Sequence, residues 1–273
     1  MVFSLCDVGP AGRMHPGDGA GPAFSTSSSG IRHESSEDEP ARATNGGSFS
    51  NALTVPADRE SLATVRDMRR RLAAGGPERI RTGGDFERVS LPNDDCDALR
   101  DVLLAQQALV VIEIGLAYGS SALAIGEALL SQGRHDAKHV IIDPYQHLFQ
   151  NAGWDAIATA GLSGLCTLLV ERSQLALPQL VSEGFLADAA FVDGSHAFHN
   201  VFVDLYYLRE LVRPGGLVVL DDYEWPSVAT AVRYYEVNAE WRPQPMSQQT
   251  RLRAFRLPDP PVEPSFESFR PFD

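Results

Sequence analysis

Along most of this chain apolar and polar positions recur with the spacing of helices and strands in turn. Residues 57–74 put Leu62, Val65, Met68 and Leu72 on one face of a helix. Gly75-Gly76-Pro77 ends that helix, and Gly83-Gly84 marks a loop. From Leu91 onward the alternation becomes regular. Asn93-Asp94-Asp95 can cap a helix whose apolar face includes Leu99, Val102 and Leu103. Short apolar runs predict strands over 110–114, 139–143, 166–171, 189–193 and 217–221. Between and after them, helical patterns cover 121–132, 152–160, 174–183, 197–212 and 226–239. Arg213-Pro214-Gly215-Gly216 interrupts the chain before the fifth strand, and Pro226 suits the first turn of a helix. Two last runs, 241–246 and 251–257, flank Ser247-Gln248-Gln249-Thr250 and read as a hairpin. Such strand–helix alternation calls for an α/β fold, a doubly wound, mostly parallel sheet with helices on both faces.

The ends of the chain depart from that pattern. Residues 1–55 are rich in Gly, Ser, Pro and acids, with a polar cluster at Ser25-Thr26-Ser27-Ser28-Ser29-Gly30 and an acidic one at Glu34-Ser35-Ser36-Glu37-Asp38-Glu39. Such a segment cannot bury enough apolar surface to offset its chain entropy and is expected to be disordered. Residues 56–90 form an N-terminal helix and lid, 91–257 the main domain, and 258–273 a Pro- and Phe-rich tail.

With 273 residues and 44% apolar composition, one large domain with appendages is expected. The net charge of −13 speaks against nucleic-acid or anionic-membrane partners. Arg69-Arg70-Arg71 reads as a solvated helix face. The three cysteines, Cys6, Cys96 and Cys166, are widely spaced, match no metal or disulfide framework, and suit a reducing cytoplasm. Neither a membrane span nor a signal pattern is legible.

The densest chemical information lies in Val110-Val111-Ile112-Glu113-Ile114-Gly115-Leu116-Ala117-Tyr118-Gly119-Ser120-Ser121. An apolar strand carrying a carboxylate turns through two glycines into a helix. Gly115 permits the turn and a close ligand approach. The helix start, Ser120 and Ser121, offers free N–H groups and the positive end of the helix dipole. Dinucleotide sites use G-x-G-x-x-G, whereas here Ala117 takes the middle glycine's place and Gly119 comes one residue early. A pyrophosphate is therefore poorly served. A glycine-rich turn with no ligand is the plain alternative.

In open α/β sheets ligands sit beyond the carboxyl ends of the strands. The second strand ends in Asp143-Pro144-Tyr145-Gln146, where Asp143 can accept hydrogen bonds from a ribose diol or else cap a turn. The third ends in Glu171-Arg172-Ser173, where Ser173 reads as the cap of the next helix rather than an adenine contact. The fourth ends in Asp193-Gly194-Ser195-His196 and the fifth in Asp221-Asp222-Tyr223-Glu224-Trp225. These two tips are neighbours, so Asp193, Asp221 and Asp222 converge. Three uncompensated carboxylates repel one another, and a hard divalent cation such as Mg²⁺ relieves the repulsion. His196 can then act as general base toward a substrate hydroxyl. The alternative has Asp221 and Asp222 capping the next helix and His196 packing at a helix start. Trp225 either shapes an acceptor pocket or only packs.

Taken together, Glu113-Ile114-Gly115 with Gly119-Ser120-Ser121, Ile142-Asp143-Pro144-Tyr145-Gln146, Phe191-Val192-Asp193-Gly194-Ser195-His196 and Arg213-Pro214-Gly215-Gly216 through Asp221-Asp222 resemble the class I S-adenosylmethionine-dependent methyltransferases. The resemblance covers roughly residues 90–257 and is narrower to a bacterial subgroup near the cation-dependent O-methyltransferases. It implies a Rossmann-like, seven-stranded sheet with an antiparallel last strand. It implies S-adenosylmethionine as cofactor, with Glu113, Gly115, Gly119, Ser120, Ser121, Asp143 and Asp193 around it. It implies Mg²⁺ on Asp193, Asp221 and Asp222, and Asp193 and His196 as catalytic residues. The activity it implies is O-methylation of a small molecule or sugar hydroxyl, with the protein free to form a homo-oligomer. A nicotinamide-dependent oxidoreductase, disfavoured by the glycine spacing, and a non-catalytic nucleotide-binding protein are the alternatives. The acceptor itself is not legible.

Overall fold

The structure is a computed structural model that describes residues 59–77, 85–246 and 249–272. The expectation of disorder for 1–55 falls outside the described residues. Seven strands form one sheet in the order β3-β2-β1-β4-β5-β7-β6. They are β1 (Val110–Ile114), β2 (Lys138–Ile142), β3 (Cys166–Leu169), β4 (Ala187–Val192), β5 (Val212–Leu220), β6 (Arg242–Gln244) and β7 (Arg253–Arg256). Strands β1 to β5 pair in parallel, and β7 runs antiparallel to both β5 and β6. This is the expected mostly parallel sheet with its reversed last strand.

Alternate side chains of each strand feed opposite faces. In β1, β4 and β5, Ile112, Ile114, Ala190, Val192, Val218 and Leu220 pack beneath α6 (Ser173–Ser182), α7 (Phe198–Leu211) and α8 (Pro226–Asn238). Their neighbours Val111, Ala189, Phe191, Leu217 and Val219 pack beneath α3 (Asn93–Gln106) and α4 (Ser120–Ser131). A further apolar cluster joins α1 (Arg59–Gly75), α4 and α5 (Ala152–Thr159). Both faces of the sheet are thus covered, and the loops at its carboxyl edge are left to carry the chemistry.

The N-terminal segment is tied to α4. Val65 and Leu72 of α1 are buried there, and the Arg66 and Arg69 guanidiniums donate to the Glu127 carboxylate. Arg69, read as solvated, is in fact buried, with Asp97 as its second partner at 2.8 Å. The short α2 (Phe86–Val89) rests its Phe86 ring on Tyr118, centroids 5.4 Å apart.

Several boundaries differ from expectation for local reasons. Asn93-Asp94-Asp95 do not cap α3, whose N-cap residue is Pro92. Asp95 instead accepts from the Thr250 hydroxyl and the Arg251 backbone N–H, fastening α3 to the β6–β7 connection. Residues 213–216 do not break the chain; β5 runs through them, with a register shift against β4 between Ala187 and Ala189. Arg213 holds this irregularity by donating to Asp188 at 2.8 Å. The tail after Leu257 is also engaged: Arg209 meets Glu263 at 2.8 Å, and the Arg270 backbone N–H donates to Asn238 at 2.8 Å.

Candidate active site

The loop from β1 to α4 carries positive φ at Gly115 (96°), Ala117 (43°) and Gly119 (85°). A β-carbon at Gly115 would stand 2.1 Å from the Asp193 carbonyl oxygen. The close approach that this glycine allows is therefore to the chain's own β4 tip. At Gly119 a β-carbon would meet the Gly153 carbonyl at 3.0 Å. The two glycines let the loop nest between β4 and α5, so the turn at the head of α4 has a single shape.

Asp143 fixes that shape. Its Oδ2 accepts from the backbone N–H groups of Leu116 (3.0 Å) and Ala117 (3.1 Å) and from Gln146 Nε2 (3.0 Å). Its Oδ1 accepts from the Tyr145 N–H at 2.6 Å. Gln146 also donates to the Ala117 carbonyl at 2.9 Å. Asp143 is buried, and both of its oxygens are committed to this clamp. Its contacts within the fold make it a brace of the loop.

Glu113 also makes its contacts within the fold. It shares the face of β1 that carries Val111, so its carboxylate points under α4 and is wholly buried. Ser121 Oγ donates to it at 2.5 Å, and His139 Nε2 lies 2.8 Å away on the other side. Cys166 Sγ stands 3.6 Å from His139 Nδ1. Burial would lower the His139 pKa, but Cys166 and Glu113 outweigh it and push it up to about 9. The result is an internal charge pair that anchors the first turn of α4 through Ser121. Glu113 and the Ser121 hydroxyl thus position the loop from below, while Ser120 and the free N–H groups of the helix start remain at its open end.

Next to the loop lies the acidic edge. The Asp193 N–H donates to the Ile114 carbonyl at 2.9 Å, so the β4 tip and the glycine loop are back to back. One ligand atom from each of Asp193, His196 and Asp222 lies within 4.8 Å of the others. His196 Nε2 is 2.9 Å from Asp222 Oδ2 and 3.8 Å from Asp193 Oδ1. Asp222 adopts φ 53°, and this left-handed turn belongs to the backbone that presents its carboxylate to His196. The Trp225 ring stacks on the imidazole, centroids 6.1 Å apart, and is itself 45% exposed. Asp193 and Asp222 together push the His196 pKa up to about 10. His196 in turn holds Asp222 below the usual carboxylate range, while burial raises Asp193.

Asp221 does not join this group. Its carboxylate is fully buried and is gripped at both oxygens by the Arg251 guanidinium, Nε at 2.7 Å from Oδ1 and Nη2 on Oδ2. The three converging carboxylates expected from sequence are therefore two carboxylates and a histidine, with the third acid paired elsewhere. His196 and Arg251 offset their repulsion in part; burial and the neighbouring Asp193 still push Asp221 up to about 7. Sequence reasoning missed Arg251, which lies 30 residues from Asp221 in the hairpin connection and carries no local signal. Ser173 starts α6 without a side-chain cap and bonds Asp204 instead. His199 is exposed on α7.

Residues 112–223 match a family model described as a methyltransferase domain. Among curated proteins, the chain is 28% identical over 142 residues to an Arabidopsis thaliana protein named as a caffeoyl-CoA O-methyltransferase. That alignment covers 52% of this chain and 58% of the relative's length. Among solved structures, an O-methyltransferase from Bacillus cereus in complex with SAH superposes with TM-score 0.52 at 17% identity, covering 75% of this chain and 93% of that one. The O-methyltransferase TomG from Streptomyces achromogenes, involved in tomaymycin synthesis and in complex with SAM, gives 0.51 at 21% identity, covering 77% and 93%.

Proposed function

We propose that this chain uses its class I S-adenosylmethionine-dependent methyltransferase fold to methylate a hydroxyl of a small-molecule acceptor. The observation that carries this reading is the juxtaposition of the braced loop 115–119 with the Asp193–His196–Asp222 group, where Ile114 and Gly115 pack against the backbone of Asp193. The loop and the start of α4 are a cofactor seat, and the acidic edge beside it is where an acceptor oxygen would wait. Supporting it are the methyltransferase-domain match, the similarity to a protein named as an O-methyltransferase, and the absence of the dinucleotide glycine spacing.

Methyl transfer is an in-line displacement. The acceptor oxygen forms a bond to the methyl carbon as the carbon–sulfur bond breaks, the sulfonium becomes a neutral thioether, and the acceptor loses its proton. Positioning and deprotonation are what the protein must supply. Loop 115–119 and Ser120 seat the donor, and the exposed Trp225 ring walls the acceptor side. His196 is the group placed to handle the acceptor proton. At neutral pH its raised pKa keeps it an imidazolium paired with Asp222. It becomes an empty base as pH rises toward about 10, so proton uptake strengthens with pH.

Carboxylate oxygens of Asp193 and Asp222 converge on one locus and would give a divalent cation hard oxygen ligands, with His196 beside them to handle the proton. Held there, Mg²⁺ would supply a positive charge that lowers the pKa of an acceptor hydroxyl. An acidic protein with net charge −13 suits a small neutral or cationic acceptor better than a polyanion. The described cysteines, Cys96 and Cys166, are free thiols, in keeping with the cytoplasmic location read from the sequence. Among the described residues no helix is long and apolar enough to cross a membrane.

The test is a screen of hydroxylated small molecules and sugars with methyl-labelled S-adenosylmethionine. Label should move to an acceptor oxygen with release of S-adenosylhomocysteine in equal amount. Transfer to nitrogen or carbon acceptors alone would overturn the O-methyl assignment.

A further inference from the structure

We propose that His139 is a positioning residue of the cofactor seat, acting through the Glu113 carboxylate and the Ser121 hydroxyl on the first turn of α4. The inference rests on the reading of that turn as the seat of S-adenosylmethionine.

Four side chains form a line that crosses three strands and ends on the helix. Cys166 of β3 pairs in register with His139 of β2. Glu113 of β1 pairs with Ile141, two residues beyond His139 on the same face of β2. The imidazole lies between them, Nδ1 3.6 Å from Cys166 Sγ and Nε2 2.8 Å from Glu113 Oε2. The other oxygen of Glu113 accepts from Ser121 Oγ at the start of α4. Strand β2 therefore braces the turn twice. Asp143 at its tip holds the backbone of Leu116 and Ala117, and His139 behind it holds Ser121 through Glu113.

The groups facing the imidazole are few. Glu113 comes from β1 and Cys166 from β3. Helix α4 presents Ser121, and its one acid, Glu127, is paired with Arg66 and Arg69 of α1. The cluster that holds Cys166 includes the fully buried Leu123, Ile141 and Ile157. In that apolar setting each charge needs the other. Against its burial, Cys166 and Glu113 keep His139 protonated up to about pH 9. Below that pH an imidazolium faces the carboxylate, and Ser121 donates to an acceptor fixed in place. Once the imidazole loses its proton, Glu113 is a buried charge short of partners, and it must turn or admit water to regain them. Either movement disturbs Ser121 and the turn it belongs to. Cofactor affinity should therefore fall as pH rises through about 9. By linkage the reverse also holds: bound cofactor favours the imidazolium and raises the pH at which it titrates.

The measurement is the titration midpoint of His139 in the full, unaltered chain, followed by nuclear magnetic resonance of ring-labelled histidine with the signal assigned through the backbone. S-adenosylhomocysteine is the probe, because its neutral thioether survives alkaline pH. It should raise the midpoint by about one pH unit, the equivalent of a tenfold coupling. Calorimetry gives a second reading. From pH 7 to pH 10, affinity for S-adenosylhomocysteine should fall about fivefold more in the unaltered protein than in His139→Gln. Glutamine keeps a hydrogen bond to Glu113 without the charge, and the comparison removes the titration of the ligand's own amino group and of His196. A midpoint that the ligand leaves unmoved, or equal pH dependence in the two proteins, overturns the proposal and makes His139 a residue of the core alone. The midpoint needs no variant, so instability of His139→Gln does not blunt the test. No binding of S-adenosylhomocysteine at any pH would sink the cofactor reading itself, and this inference with it.

Discussion

Asp143→Asn separates two roles for one carboxylate. The side chain keeps its size, and its fold-side partners are defined: Leu116 N–H, Ala117 N–H and Gln146 Nε2 on one oxygen, Tyr145 N–H on the other. The amide oxygen best serves the first three. Its NH₂ group then faces the Tyr145 N–H where an acceptor stood at 2.6 Å, donor against donor. One charge-assisted bond is lost and a part-buried donor is left unpaired, a cost of about 2–3 kcal/mol. For a domain of this size that lowers the melting temperature by about 5–10 °C. Because the loop seats the cofactor, S-adenosylmethionine affinity should fall as well. Thermal melting followed by circular dichroism, without ligand, reads the first effect, and calorimetry the second. An unchanged melting temperature with affinity reduced tenfold or more would refute the brace and return Asp143 to direct ribose contact.

Three further outcomes follow from buried or paired groups. His139→Leu strands the Glu113 carboxylate in the core and should cost about 3–5 kcal/mol in urea unfolding. Adding Glu113→Gln to His139→Leu should recover most of that, and a loss in the double variant equal to the sum of the two single losses would show that the pair is not coupled. Asp204 is buried with one oxygen unpaired, and burial pushes its pKa from 3.8 up to about 7. Its folded value lies above the unfolded one, so its contribution is fully favourable below pH 3.8 and is lost as pH rises through about 7, in all about 4 kcal/mol. Asp204→Asn should therefore be more stable than the unaltered protein at pH 8, with the advantage shrinking by pH 5; a pH-independent difference would contradict this. His196→Ala should slow turnover by about 10²–10⁴-fold with cofactor affinity retained, and a parallel loss of affinity would make the residue structural.

Some of this molecule was legible in its sequence because single positions demanded it. Gly115 and Gly119 sit at positive φ against the backbones of Asp193 and Gly153, and only glycine fits both constraints. The apolar runs at β1, β4 and β5 are buried on both faces, so they read as parallel strands, and the order of strands then places Asp193 beside Asp222. What escaped depends on the direction a side chain takes and on partners distant in the chain. Whether Asp143 points outward to a ligand or inward to Leu116 and Ala117 is set by the loop's curl, which spacing does not encode. Glu113 was read at a ligand-facing tip, but strand alternation turns it inward with Val111, toward a histidine on the next strand. Asp221 looked like an unpaired acid only because Arg251 arrives from the hairpin connection. The tail looked free because its anchors, Arg209 and Asn238, lie on helices folded back against it.

The central claim is that the braced turn from β1 to α4 seats S-adenosylmethionine and not a dinucleotide. Calorimetric titration of the full chain with S-adenosylmethionine, S-adenosylhomocysteine and NADH tests it most directly. Saturable binding of the first two, weakened by a side chain introduced at Gly119 and accompanied by no heat from NADH, is the expected result. Saturable NADH binding with no response to either sulfur compound would contradict the account at its root.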